Sequence, residues 1–263
     1  MRRLENLGRT TNEASDCCAD AGGGAGRLWG RGAGGDDPQD APATDATPLE
    51  GGYELASSTG ARGEALILED RTFWGLSGFE SGGTLYVDTL TQGTVSRSGA
   101  TVSATDLRQY DFLNGVVRTT GFSGSMKVSG VVSGTVSPSG AAATNLTLTP
   151  VAASDFDYHA AASLGTIVGT WNGDSLDGSS GSVTVGAGGA ITASLSGCSI
   201  TGNAAPHPSG KNLYAVSVTF GPSPCILANA TASGIAIIGT AQQLVVALTS
   251  ADRSAGTVFL GVR

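Results

Sequence analysis

Gly51-Gly52-Tyr53 with Gly63, and Gly169-Thr170-Trp171 with Gly181, write one pattern twice at a constant offset (169 − 51 = 118 and 181 − 63 = 118). Each copy opens on a glycine and an aromatic, passes a polar turn to a second glycine, and runs on into two strand-like stretches. These are 64–69 and 72–76 in the first copy, 182–186 and 190–195 in the second. Such self-similarity is the signature of a duplicated β unit, and it sets the fold before any chemistry is considered. In a chain of 263 residues the offset allows two lobes of roughly 100 residues each, a usual domain size.

Composition agrees. Glycine is the commonest residue at 41, and charged side chains make up 14% of the chain against about 25% in an average domain, the balance of a turn-rich β protein. Leu66-Ile67-Leu68, Ile235-Ala236-Ile237-Ile238 and Leu244-Val245-Val246 are apolar runs that demand burial, which excludes a disordered body. In the first lobe strands are expected near 52–58, 64–69, 72–78, 84–95, 100–112, 115–122, 125–136 and 143–149. In the second they are expected near 169–175, 181–186, 189–196, 197–204, 211–220, 231–239, 242–249 and 256–262. Asn114-Gly115 predicts a two-residue type I′ hairpin. The expected fold is therefore all-β. Two tandem antiparallel meanders of about eight strands each close into a small barrel or barrel-like sandwich. The predicted division is a leader and tether at 1–50, lobe one at 51–150, a linker with one short helical turn at 151–167, and lobe two at 168–263. The helix-friendly stretch of that linker is Tyr158 to Leu164.

A net charge of −8, with only two lysines and with the nine basic residues after position 50 scattered, excludes nucleic acid as a partner. Cys198 and Cys225, 27 residues apart in neighbouring strand regions, suit a disulfide that would stabilise lobe two by roughly 3–4 kcal/mol. Two buried free thiols are the alternative. Residues 1–50 lack periodicity and hold nine of the 22 acids, so they read as a disordered leader, with 36–49 an extended Pro, Ala, Thr and Asp tether. Leu28-Trp29-Gly30-Arg31, read one nucleotide out of frame, becomes Cys-Gly-Gly-Gly. With the acidic tether behind it, that string resembles the start of a mature bacterial lipoprotein. The expected location is the periplasm or outer-membrane surface if the leader is mis-framed, and the cytoplasm if it is natural. Any membrane contact would come through a lipid anchor alone.

A short helical turn running into Gly169-Thr170-Trp171 resembles the Gly-x-Trp opening of lipocalins and related eight-stranded barrels. That resemblance implies that Trp171, and Tyr53 in the first lobe, close one barrel end. It also implies an arginine of the last strand, Arg263, over the Trp171 ring. Two such lobes behind a low-complexity tether are similar in plan to two-barrel Gram-negative surface lipoproteins, such as the transferrin-binding and factor-H-binding lipoproteins. The resemblance covers residues 51–263 and implies a scaffold, with no ligand residues carried over.

Candidate chemistry is sparse. The two histidines, His159 and His207, fall in a connector and a Pro-flanked hairpin tip, and no G-x-S-x-G, S-x-x-K or H-E-x-x-H motif occurs. Asp174 and Asp177 lie in a loop that reads as a plain hairpin before it reads as a calcium site. No catalytic, cofactor-binding or metal residue is assigned, and no cofactor is expected. Seven aromatics, including Trp74, Phe79 and Tyr86, gather in lobe one; these three would form a contact patch if they face outward. The expected function is a monomeric, non-enzymatic binding protein of the cell envelope that takes a protein or a small apolar ligand. The alternatives are a structural or adhesive surface protein with no pocket, and an enzyme of unrecognised type, a hydrolase.

Overall fold

The computed structural model describes residues 2–4, 38–82, 84–239 and 242–263. The Leu28 to Arg31 string lies outside the described residues. A strand at Arg2–Leu4 (β1) and a 3-10 turn at Pro38–Asp40 precede the first barrel. Its strands are Gly51–Ser57 (β2), Arg62–Ile67 (β3), Thr72–Ser81 (β4), Thr84–Thr94 (β5), Ser96–Ser98 (β6), Thr101–Asp111 (β7), Val116–Met126 (β8), Val132–Pro138 (β9) and Thr144–Pro150 (β10). One helical turn, Leu164–Ile167 (α1), leads into Gly169–Ser175 (β11), Ser180–Val185 (β12), Ala190–Leu195 (β13) and Cys198–Pro206 (β14). Tyr214–Phe220 (β15), Thr231–Ile238 (β16), Leu244–Ser250 (β17) and Gly256–Val262 (β18) complete the second barrel.

Both lobes close. In barrel 1 the order β5-β4-β3-β2-β10-β9-β8-β7 is sealed by β7 pairing back onto β5, and in barrel 2 the eight strands β11 to β18 follow one another round the circle. Closure removes the free edges that an open antiparallel sheet would expose. β7 reaches only Thr89 to Gln92 of β5, and β1 pairs with the next stretch of that edge, Leu85 to Val87.

The repeat survives as register. Gly51 pairs with Ile67 as Gly169 pairs with Val185, and Gly63 pairs with Ser77 as Gly181 pairs with Leu195, each position displaced by 118. The repeated glycine has a repeated cause. A Cβ on Gly63 would stand 2.1 Å from the Leu76 carbonyl oxygen, and one on Gly181 2.0 Å from that of Ser194, again 118 apart. Such close backbone approach marks the bend a small barrel needs. The copies diverge after the third strand, where β4 and β5 are long but β13 turns tightly into β14 through Ser196 and Gly197, both at positive φ.

Two neighbouring chemistries fill the strands. Side chains of barrel 1 that point inward, among them Tyr53, Phe73, Phe122 and Met126, form one core, and those of barrel 2 around Trp171 form another. A third core lies between the barrels, where Leu66, Trp74 and Leu76 meet Ile235, Ile237 and Val245. Strands at this seam are buried on both faces, which explains why 66–68, 235–238 and 244–246 read as continuous apolar runs rather than alternations. On the opposite wall of barrel 2 the outward positions are polar. Thr170, Thr184, Thr192, Thr201, Thr219 and Thr231 pair one to the next across six strands, an unbroken hydroxyl row that helps fix the register.

Three local expectations are corrected. Of the expected 36–49 tether, residues 38–49 are not free. Ala43 N–H donates to Met126 O at 2.9 Å, Arg97 donates to Thr44 O and Thr47 O, and Ala43 and Leu49 enter the barrel 1 core. Alternating Ala, Pro and Thr suggested solvent, but the two apolar side chains and an arginine that satisfies the backbone carbonyls hold the segment across the barrel end. Asn114-Gly115 is not a two-residue hairpin: Asp111 pairs with Val116 across a four-residue loop in which only Gly115 has positive φ. Asp111 captures Asn114 through both its N–H and its amide, and that Asx geometry prevails over type I′. The strand expected over 125–136 is broken at 127–131 by a turn between β8 and β9.

Candidate functional site

A cavity of about 420 Å³ occupies the interior of barrel 2. Val183, Val185, Ile191, Ile200, Val216 and Val218 supply much of its wall, each an inward position of an alternating strand. Small inward residues, Ala193 on β13, Ala204 on β14 and Ala236 on β16, leave the space unfilled. Barrel 1 buries Tyr53, Phe73, Phe122 and Met126 in its own interior, all nearly inaccessible.

The floor is closed by the duplicated aromatic. Trp171 is wholly buried and its Nε1–H donates to Ile167 O at 2.8 Å; Tyr53 Oη donates to Leu49 O at 2.5 Å, the same contact 118 residues earlier. Burial pushes the Tyr53 phenol above its ordinary value, with Glu50 adding to the rise and Arg97 opposing it. Arg263 lies over the Trp171 ring, 4.6 Å from its centroid, and donates to Val168 O, as the lipocalin resemblance implied for it. Tyr214 Oη donates to Ser163 O at 2.7 Å, so both floor aromatics turn their polar atoms toward the connector and away from the cavity.

The mouth lies at the other end. The loop between β15 and β16 carries Ile226 and Leu227 into the lining, and it is fastened to β14 by the Cys198–Cys225 disulfide. Ser175, Ser179 and Thr257 add hydroxyls there. Barrel 1 supplies the remaining side through the β7–β8 hairpin, whose Tyr110, Phe112 and Val117 reach the opening. That hairpin is locked in place. The Tyr110 ring lies against Gly256, where a Cβ would stand 3.0 Å from it, and its Oη donates to Arg253 O. Arg253 reaches back from barrel 2 to Asp106 at 2.7 Å and to Gln92 O at 2.8 Å. Ile226 and Val117 are 67% and 43% exposed, so two sides of the rim offer apolar surface to solvent.

The charged side chains lining the cavity are Asp111 and Asp177. Burial raises the Asp111 carboxyl, but hydrogen bonds from Asn114 and the Arg118 ion pair outweigh it and hold the group below its ordinary value. Asp177 is exposed and accepts from Ser179 N–H.

No family model, curated protein or solved structure matches the chain. The functional reading therefore rests on geometry.

The structure separates the sequence-predicted residues. Cys198 and Cys225 are joined. Tyr53 and Trp171 close their barrels. The contact patch does not form as a unit: Trp74 points out of barrel 1 but is 8% exposed, because barrel 2 covers it. Phe79 and Tyr86 remain together, stacked at 5.0 Å, with Phe79 37% exposed. His159 does meet partners: Lys211 Nζ lies 3.1 Å from its Nδ1 and 3.4 Å from Glu69 Oε1, and Tyr158 Oη donates to Glu69 at 3.0 Å. Burial, then the Glu69 carboxylate, pushes the Tyr158 phenol up. These groups satisfy one another on the seam between the barrels, so the cluster acts as a clasp. Among the described residues no three His, Cys, Asp or Glu side chains gather at metal-binding distance. Sequence reasoning missed the cavity. Its only trace in the sequence is the set of small inward residues, Ala193, Ala204 and Ala236, which do not stand out in a chain rich in small side chains.

Proposed function

We propose that the protein is a non-enzymatic binding protein that carries a small apolar molecule inside barrel 2. The observation that carries this reading is the cavity itself. At about 420 Å³ it falls within the usual range of ligand sites, about 300–1,000 Å³, and its wall is apolar with polar groups confined to the mouth. Apolar cavities of this kind stay dry and take apolar guests. Barrel 1 is the supporting member, since it packs on barrel 2 and lends it one side of the rim. The disulfide favours an oxidising compartment and so a place in the cell envelope.

The test is displacement of an environment-sensitive apolar dye, with Val218→Trp as the blocking variant. Val218 is a buried wall residue, and the indole would fill space the ligand needs. Wild type is expected to bind the dye, and the variant to lose binding while retaining its circular dichroism spectrum. Equal binding by the two proteins, or none by wild type, would overturn the proposal.

A further inference from the structure

We infer that barrel 2 takes an aliphatic chain tail first and selects against an anionic head group, so that its ligand is a neutral or cationic single-chain amphiphile. This rests on the reading of the cavity as a ligand site. The orientation follows from where polarity sits. Trp171 and Tyr214 at the floor spend their donors on Ile167 O and Ser163 O, and the wall from Val185 to Leu195 offers no side-chain donor or acceptor. A polar head buried there would lose its hydrogen bonds to water without replacement. At the mouth it would meet the Ser179 and Thr257 hydroxyls and solvent instead.

Size sets the tail. A volume of 420 Å³ holds roughly 14 groups of about 30 Å³, the space of one water and close to that of one methylene. A flexible chain can follow the room that Ala193, Ala204 and Ala236 leave beside the larger Phe220 and Phe259 rings.

Charge sets the head. The charged residues at the opening are Asp111 and Asp177, and among the described residues no Lys, Arg or His lines the cavity. Of the cations beside the rim, Arg118 is paired with Asp111 at 3.2 Å and Arg253 with Asp106 at 2.7 Å. A ligand carboxylate would thus face an uncompensated Asp177, while a hydroxyl, amide or ammonium would not. Like charges at about 6 Å weaken binding roughly threefold in bulk water and far more as the site dries, so about tenfold is expected at this half-open rim.

The experiment is isothermal titration of the full chain with 1-dodecanol below its solubility limit, and with dodecyltrimethylammonium and dodecanoate below their micelle concentrations, at pH 7.5 and low salt. The alcohol and the ammonium are expected to bind and the carboxylate to bind about tenfold more weakly, with the gap narrowing in Asp177→Asn, which keeps the acceptor for Ser179 N–H. Shorter alcohols should lose about fourfold per methylene removed. Dodecanoate binding as tightly as the alcohol, or a gap unchanged in the variant, overturns the head-group inference and leaves the cavity reading standing. Failure of all three to bind overturns both.

Discussion

Trp74→Ala should uncouple the two barrels. Its indole is 8% exposed and belongs to the core between the lobes, so near that a Cβ on Gly234 of barrel 2 would stand 2.8 Å from the ring. Truncating a buried tryptophan to alanine costs about 3–5 kcal/mol. The site already holds a void of about 50 Å³ between Trp74, Ile235, Ile237 and Val245, and the new cavity would join it, which places the loss toward the upper part of that range. Little of this energy belongs to either barrel alone, because Trp74 faces away from the barrel 1 interior. Wild type should therefore unfold in one calorimetric transition. The variant should show two, the lower displaced by about 8–16 °C at roughly 2–4 °C per kcal/mol. A single transition shifted by less than about 1 kcal/mol would refute the view that the seam couples the lobes.

Three further outcomes are expected. Reducing the Cys198–Cys225 bond, which closes a separation of 27 residues, should lower stability by about 3.5 kcal/mol in urea unfolding, and in Trp74→Ala it should move only the transition of barrel 2. Gly63→Ala and Gly181→Ala should each destabilise by about 2 kcal/mol or more, because both Cβ atoms would collide with a cross-strand carbonyl; a neutral result at either site would contradict the shared register. Asp252 is drawn down to about 2 by the Ser250 hydroxyl and then by Ser254, so its carboxyl carbon should titrate near pH 2 in NMR spectra. Since its folded pKa lies below the unfolded value of about 3.9, its contribution is present above pH 4 and fades as pH falls through 2; a midpoint near 4 would show that the turn does not hold it.

The strands were legible because their punctuation is local. Gly-rich turns and the 118-residue repeat place eight strands in each lobe, although the stretch expected at 125–136 runs on through the turn at 127–131. What escaped was non-local. Whether Asn114 enters a type I′ turn depends on Asp111 competing for its amide, and whether 41–49 floats depends on Arg97 and Met126, which are distant in sequence. The seam was half legible: apolar runs announce strands buried twice, but they do not say that the second face meets the other lobe. The cavity is the hardest case, since it is set by the summed volume of inward side chains and not by any motif.

The threonine row has a consequence for how the molecule stays dispersed. From Gly169 onward the ionisable side chains are Asp174, Asp177, Lys211, Asp252, Arg253 and Arg263, three of each sign, with His207 neutral, so barrel 2 has no net charge and the −8 resides entirely before it. Its outer wall attracts water through hydroxyls that neither titrate nor respond to salt. A neutral body lacks the mutual repulsion that keeps proteins apart. Colloidal stability is thus a borrowed property, conferred on barrel 2 by the acidic half of the chain to which it is fused.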